Sequence, residues 1–191
     1  SRDNDSKLLK SVHSSLECAD CHNFISNNLA NHPANVKNTQ KADCYICHSK
    51  IANEHRDSIH GISLSEGIDE AAMCWNCHGS HEILKTDNSE SKVFRRNIPS
   101  TCGSCHDNPK FVKKFSLSIK NPGLLYAKSV HGQLFYSGRK DVPDCVDCHG
   151  VHSIKNKIQA GSTISVYGLP ETCGKCHSEI TDEYTKSIHW I

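Results

Sequence analysis

The sequence has little of the material from which an ordinary hydrophobic core is built. Hydrophobic residues make up 36% of the 191-residue chain, and aromatic residues make up only 6%. Large apolar and aromatic side chains dominate the interior of most globular domains. We therefore expect little regular structure, almost no β-sheet, and a core that is not made mainly of packed side chains.

Long apolar runs and a strong net charge are also missing. No stretch of about 18 or more apolar residues occurs, so we expect no transmembrane segment. The formal net charge is +1 at pH 7. The longest basic clusters are pairs such as Arg95-Arg96 and Lys113-Lys114, which solvated loops commonly carry. Nucleic acid is therefore not an expected partner.

Cysteine and histidine, in contrast, are abundant, with 12 and 14 copies. Every cysteine falls within a Cys-x-x-Cys-His pentad. The pentads lie at 18–22, 44–48, 74–78, 102–106, 145–149 and 173–177. This is the pattern of c-type haem attachment, in which the two thiols form thioethers with the haem vinyl groups and the histidine becomes the proximal iron ligand.

The pentads therefore predict six covalently attached haem c groups, which are thioether-linked iron protoporphyrins. The predicted thioether cysteines are Cys18, Cys21, Cys44, Cys47, Cys74, Cys77, Cys102, Cys105, Cys145, Cys148, Cys173 and Cys176. The predicted proximal ligands are His22, His48, His78, His106, His149 and His177. Two cysteines at this spacing can reach both vinyl groups of one porphyrin, and the adjacent imidazole then falls under the iron.

Other uses of paired cysteines explain the pattern less well. A Cys-x-x-Cys pair alone is more often half of a zinc site or a redox dithiol. Neither of these requires a histidine after every second cysteine. A disulfide within each pentad would also leave the six adjacent histidines without a role. Structural zinc remains the minor alternative.

On these pentads, the sequence resembles the multihaem c-type cytochromes with paired Cys-x-x-Cys-His motifs. The resemblance extends from Cys18 to His177. It implies a hexahaem protein that transfers electrons. It also implies a periplasmic or extracellular location, because haem c is attached outside the cytoplasm, and hence an export signal that has already been removed.

We expect the six haems to form the core of one continuous domain, with short α-helices and irregular segments wrapped around the packed haem array. Apolar spacing predicts helices within 48–60 and 177–189. A third helix is predicted to begin near Asn121-Pro122, where proline suits the first turn, and to end near Gly138.

The chain is internally repeated. Residues 58–106 align with 129–177 without a gap, at a spacing of 71 residues. Each copy reads Ser-x-His-Gly, then a first pentad followed by Gly-x-His, then a loop and a second pentad. We divide the chain into tandem dihaem units: unit one (1–57, a shorter and degenerate copy), unit two (58–128) and unit three (129–191).

Each haem iron needs a second axial ligand, and histidine is the residue available for it. The only methionine, Met73, is adjacent to Cys74, where it is better placed to pack on a porphyrin edge. The candidate distal ligands are His13, His32, His60, His81, His131, His152 and His189. His55 is set apart because Tyr126 and Tyr184 occupy the equivalent positions, which favours a packing role.

The repeat also suggests where some of these ligands act. His81 and His152 follow a proximal histidine by three residues, so we expect each to reach a neighbouring haem rather than its own. We expect His60 to serve a haem within or beside the preceding unit, and His189 to serve the last pair in the same way. His13 then either serves the first pair or binds an iron of a neighbouring chain.

Two functions follow from this reading. The first is an electron carrier or conduit that is not an enzyme, because two histidines per iron leave no position for a substrate. Its partners would be redox proteins or an extracellular electron acceptor, and the chain could form a homopolymer as the subunit of an extracellular cytochrome filament. The alternative is a multihaem oxidoreductase that reduces nitrogen or sulfur oxyanions at one open haem.

Overall fold

The computed structural model describes residues 6–22 and 41–190. Within these ranges the chain forms short α-helices, 3-10 helices and turns, and no β-strand. Close to half of the described residues are helical, which is more regular structure than the composition led us to expect. None of the described helices is long and apolar enough to cross a membrane. The predicted ligand His32 lies outside the described residues.

The helices are distributed over all three units. In unit one, α1 is Cys18–Cys21 and α2 is Ser49–Arg56, with a 3-10 helix at Cys44–Ile46. Unit two contains α3 (Ile59–Ser65), α4 (Cys74–His78), a 3-10 helix (Arg95–Asn97), α5 (Ile98–His106), α6 (Pro109–Lys114) and α7 (Pro122–Lys128). Unit three contains α8 (Val130–Tyr136), α9 (Cys145–His149), α10 (Leu169–Gly174) and α11 (Ser178–Thr185).

Units two and three have the same local structure at equivalent positions. Helices α8, α9 and α10 begin at the residues that align with the starts of α3, α4 and α5. A side-chain hydrogen bond is repeated as well: Thr101 Oγ1 donates to the Lys92 carbonyl at 2.7 Å, and Thr172 Oγ1 donates to the Thr163 carbonyl at 2.8 Å. The sequence repeat thus corresponds to a repeat of helix starts and loop anchors.

A tight corner separates the helices where each of these units begins. Ser129 ends α7 and caps α8, because its Oγ accepts a hydrogen bond from Gly132 N at 3.0 Å. A Cβ atom on Gly132 would lie 1.9 Å from the Tyr126 carbonyl oxygen, so only glycine allows the two helices to approach this closely. Ser58 and Gly61 form the same corner between α2 and α3. The single helix predicted from residue 121 to 138 is therefore wrong, because this cap breaks it.

Apolar burial among the described residues is sparse. Their buried hydrophobic side chains are Ala71, Val112, Phe135 and Val142, and many large apolar side chains of the same part of the chain are exposed. Complete burial of one such large side chain contributes only about 1.5 to 3 kcal/mol. Burial of apolar side chains therefore contributes little to the stability of the described part of the chain.

One of these polar contacts joins unit two to unit three. The Arg95 guanidinium lies 3.5 Å from the Asp144 carboxylate and 3.7 Å from that of Asp147, and it also donates to the Val142 carbonyl. The Asp144 side chain is almost completely buried, and it caps α9 by accepting from the Val146 N–H. Arg95, which begins the 3-10 helix of unit two, thereby holds the start of the pentad at 145–149 in unit three.

A backbone hydrogen bond also recurs between consecutive units. The Val12 N–H of unit one donates to the Ile83 carbonyl of unit two at 2.8 Å. The Ile59 N–H of unit two donates to the Ile154 carbonyl of unit three at 2.7 Å. Both donors are the central residue of a Ser-x-His segment. Each unit thus attaches to the next through the same pair of positions.

Candidate haem-binding sites

Ten histidines come together in five pairs of facing imidazole rings. The pairs are His13 with His48, His22 with His81, His60 with His106, His78 with His152, and His131 with His177. The ring centroids within a pair are between 5.9 and 6.2 Å apart. Every pair combines the histidine of one pentad with one candidate distal ligand.

This separation fits two imidazoles that share one metal ion. An imidazole nitrogen binds a metal at about 2.0 to 2.1 Å, so two rings on opposite sides of one ion have their centres roughly 6 Å apart. Each pair supplies two ligands, as the axial positions of a haem iron require. Within residues 6–22 and 41–190 no group of three or more His, Cys, Asp or Glu side chains could hold a metal ion, so the pairs lack the four ligands of a structural zinc site. The side chains present therefore fit a bis-histidine haem at these five positions.

Three of the pairs are formed within a unit. His13, His60 and His131 each stand in a Ser-x-His segment, and each faces the histidine of the second pentad in its own unit. In units two and three the Ser-Gly corner aims this histidine, which is the second residue of α3 or α8. The structure thus places His13 beside the second pentad of its own unit.

The other two pairs are formed between units. His81 of unit two faces His22 of unit one, and His152 of unit three faces His78 of unit two. These histidines follow the first pentad of their unit and are directed at the first pentad of the unit before. This is the neighbouring-unit arrangement that the sequence suggested for His81 and His152. That an iron joins each pair stays a prediction.

The structure also places His60 and His189. For His60 we expected a haem within or beside the preceding unit, and the corner at Ser58 turns its ring towards His106 of its own unit. We expected His189 to serve the last haem pair, but His131 is the histidine that faces His177. In the described part of the chain His189 is exposed and faces no pentad histidine. The two histidines thus have different environments, although each lies twelve residues after a pentad histidine.

His149 differs from the other pentad histidines. Within residues 6–22 and 41–190, no histidine ring faces it, and its side chain is exposed. The other five pentad histidines each belong to a pair. The predicted haem at 145–149 therefore has a proximal ligand and no second imidazole from the described residues.

His55 has a structural contact instead. Its Nε2 lies 2.8 Å from the Ala72 carbonyl oxygen. At the equivalent positions 71 residues later, the Tyr126 hydroxyl of unit two donates to the Pro143 carbonyl of unit three at 2.8 Å. Both carbonyls stand two residues before the first cysteine of a pentad. The side chain at this position thus anchors the chain as it enters a pentad, and the alignment of His55 with Tyr126 was the signal for it.

Burial keeps several paired histidines uncharged. Desolvation, with smaller contributions from His106 and His55, lowers the pKa of His60 to about 4. Desolvation also lowers the pKa of His78, His106 and His152. A group with a lowered pKa is neutral at pH 7, and neutral imidazole is the form that binds a metal. The protein environment therefore favours the ligating form of these side chains.

Cysteines of neighbouring units lie in contact. The Cys44 and Cys74 thiols share a hydrogen bond, which raises the pKa of Cys44 and lowers that of Cys74 to about 6. The Cys102 and Cys145 thiols form an equivalent pair, which raises the pKa of Cys102 and lowers that of Cys145. In both cases the second pentad of one unit adjoins the first pentad of the next.

Cysteines of the two pentads within a unit are also close enough to interact electrostatically. In each unit the negative charge of one thiolate adds to the desolvation that raises the pKa of another thiol. The interacting cysteines are Cys21 and Cys47 in unit one, Cys77 and Cys105 in unit two, and Cys148 and Cys173 in unit three. The pentads therefore form one row, in which each lies beside the next in sequence.

Arg95 is the residue that sequence reasoning missed. In the sequence, Arg95 stood out only as half of a short basic pair. In the structure its guanidinium lies beside two carboxylates, that of Asp144 immediately before the pentad at 145–149 and that of Asp147 within it. The sequence signal available for it was Asp144, an acidic residue immediately before a pentad.

In comparisons with known proteins, no family model matches the chain, and no curated protein or solved structure matches it.

Proposed function

We propose that this chain is a hexahaem c-type cytochrome that carries electrons along a row of closely spaced haems. The observation that carries the proposal is the set of five facing imidazole pairs, because each pair joins the histidine of a Cys-x-x-Cys-His pentad to a second histidine at the distance that one iron would span. A coincidence of motif and geometry at five positions has no simpler explanation in the chain.

Each proposed site has residues both to attach a haem and to ligate its iron. Two cysteines of a pentad would hold the porphyrin, and two histidines would take the axial positions. Haem c supplies a one-electron Fe(III)/Fe(II) couple when bound. Two imidazoles close both axial positions and favour a lower potential than a Met/His pair. Such a site exchanges electrons and does not bind a substrate.

The order of the pentads supports a conduit. Electrostatic interactions between cysteines link each pentad to the next, from 18–22 at one end to 173–177 at the other. Groups attached to these cysteines would be neighbours in the same order. The proposed partners are a redox protein or an extracellular acceptor at the ends of the row, and the proposed location is the periplasm or the cell exterior.

One observation favours the alternative function, a multihaem oxidoreductase with one open haem. His149 has no facing histidine among the described residues. An iron held there with one imidazole would present a free position to a small molecule. Carbon monoxide detects such an open position, because it binds a reduced haem only where an axial position is open.

Intact mass spectrometry of the mature protein tests the proposal directly. We expect the mass of the polypeptide plus six haems, and no zinc by elemental analysis. As a matched control, replacement of Cys145 and Cys148 by alanine should remove one haem mass and leave the others. A mature wild-type protein with fewer haems, or with stoichiometric zinc, would overturn the proposal.

A further inference from the structure

Two contacts, each made twice in this chain, join consecutive units. The first is the backbone hydrogen bond from the central residue of Ser-x-His, made by Val12 to Ile83 and by Ile59 to Ile154. The second is the histidine that each unit presents to the first pentad of the unit before it. Unit one is completed by unit two in this way, and unit two is completed by unit three.

Unit three has the same two positions, and both are open within the described residues. The residue that corresponds to Val12 and Ile59 is Val130, whose N–H has no protein acceptor in this part of the chain. Val130 is 72% exposed, whereas Val12 is 47% exposed. The residue that corresponds to His22 and His78 is His149, which no described histidine faces. Within the described residues, unit three therefore has a copy of this surface that no other unit covers.

We propose that a second copy of this chain docks on the surface of unit three formed by Val130 and His149, and contributes a histidine as the second axial ligand of the iron held by His149. The proposal rests on the proposed function, because it assigns a ligand to one of the six haems. The occupant is a second copy because the two equivalent surfaces in this chain are each covered by another unit of the same chain.

Such an interface is head-to-tail. It joins the unit-three surface of one copy to a different surface of the next, so every added copy presents a new open unit three. Heterologous contacts of this kind produce open chains unless the rotation closes them into a ring. The haem row of one copy would then continue into the next.

The composition of the pairs limits which histidine of the second copy can be the donor. Ten histidines are already paired, and His55 is bonded to Ala72. Apart from His149 itself, His32 and His189 remain. Replacement of each by alanine identifies the donor: one of the two variants should both weaken self-association and leave an open iron at every protein concentration. If neither variant does so, the proposal is wrong.

A dilution series of the wild-type holoprotein tests the proposal without any substitution. Sedimentation velocity measures the degree of association, and the optical change on adding carbon monoxide to the reduced protein measures open irons. We expect the dilute monomer to bind one carbon monoxide per chain and the associated protein to bind almost none, with both signals changing over the same concentration range.

Three results of this series would overturn the proposal. A monomer that binds no carbon monoxide would show that the ligand comes from the same chain. Carbon monoxide binding that is independent of concentration would show a permanently open iron, as the enzyme alternative requires. Association without any change in carbon monoxide binding would show an interface that supplies no ligand. The number of haems by mass is unaffected by all three results, so failure of the proposed function is recognised separately.

Val130→Pro tests the backbone contact. Val130 is the first residue of α8, where proline is well tolerated, and Ser129 before it has the extended conformation that a following proline favours. The substitution removes only the N–H and some apolar surface. We expect it to weaken self-association by roughly 3- to 10-fold, the effect of losing about one hydrogen bond.

Val130→Ala is the matched control, because it shortens the side chain and retains the N–H. It should weaken self-association less than Val130→Pro. Equal weakening by the two variants would show that the N–H is not part of the interface. In both variants the haem content and the low-spin spectrum of the five paired sites should be unchanged, which verifies that α8 still presents His131 to His177.

Discussion

His55 and Tyr126 make the same hydrogen bond with chemically different side chains. Each reaches the carbonyl two residues before a pentad, Ala72 in one case and Pro143 in the other. The alignment of the two residues was visible in the sequence and indicated a packing position. The sequence did not reveal the acceptor, because every residue has a backbone carbonyl. The corner between the two helices determines which carbonyl lies within reach of the side chain.

This comparison gives a prediction about two histidines. His55→Tyr should leave the low-spin spectrum and the carbon monoxide binding of the associated protein unchanged, since Tyr126 makes the same contact at the equivalent position of unit two. His81→Ala should open the iron at His22 and add one bound carbon monoxide per chain. Optical titration of the reduced proteins measures both outcomes. Gain of an open iron in His55→Tyr, with none in His81→Ala, would contradict the assignment of the pairs.

At the scale of the helices, the Ser-Gly corner decides which pentad a histidine faces. The apolar pattern predicted one helix from residue 121 to 138, and the structure has two, α7 and α8, separated at Ser129. Hydrophobic periodicity continues across such a corner, so it cannot reveal the break. The break depends on the approach of Gly132 to Tyr126, which is a contact between helices. For the same reason the spacing of His60 and His189 did not predict their environments.

Gly132→Ala should disrupt this corner. The added Cβ would overlap the Tyr126 carbonyl oxygen, so α8 has to move away from α7. We expect a loss of at least about 2 kcal/mol in unfolding free energy, together with partial loss of the low-spin signal at His177. Lys128→Ala, at the end of α7, is the control, because its side chain is exposed and its contact with Gln133 at the corner uses the backbone carbonyl, which the substitution retains. Denaturant titration and magnetic circular dichroism measure the two effects, and equal behaviour of the variants would contradict the role of the corner.

At the scale of the whole molecule, the units are held in a row by contacts that cross their boundaries. The pentads, their number and the repeat were evident in the sequence. The pairing of histidines between units was not, because the sequence does not show which first pentad lies near which following loop. Arg95 illustrates the same limit, since its partners Asp144 and Asp147 lie in the next unit, about 50 residues away in the sequence.

Arg95→Ala tests one of these contacts. Burial raises the pKa of Asp144, and the Arg95 charge counteracts that rise. Without Arg95 the buried carboxylate loses its cation, so we expect a loss of about 1 to 3 kcal/mol in unfolding free energy near neutral pH. In the variant, the pKa of Asp144 in the folded protein lies further above the ordinary value of 3.8. The free energy of unfolding therefore falls as pH rises from 3.8 towards that pKa. The loss of stability relative to wild type becomes smaller in acid.

Arg96→Ala is the control for this prediction. Arg96 is the adjacent residue, is exposed, and donates only to the Tyr136 carbonyl at 3.3 Å. Its replacement should have little effect at any pH. Thermal or denaturant unfolding between about pH 4 and pH 8 measures both variants. A deficit in Arg95→Ala that is constant across this range would show that the charge of Asp144 is not what Arg95 compensates.

The pairing of His22 with His81, and of His78 with His152, also imposes an order in time. A polypeptide emerges from synthesis with its N-terminus first. His22 is therefore present well before its partner, and the first site of each unit stays incomplete until the following unit has emerged. A chain cut short after unit one or unit two would leave the first pentad histidine of its last unit without the histidine that faces it in the complete chain.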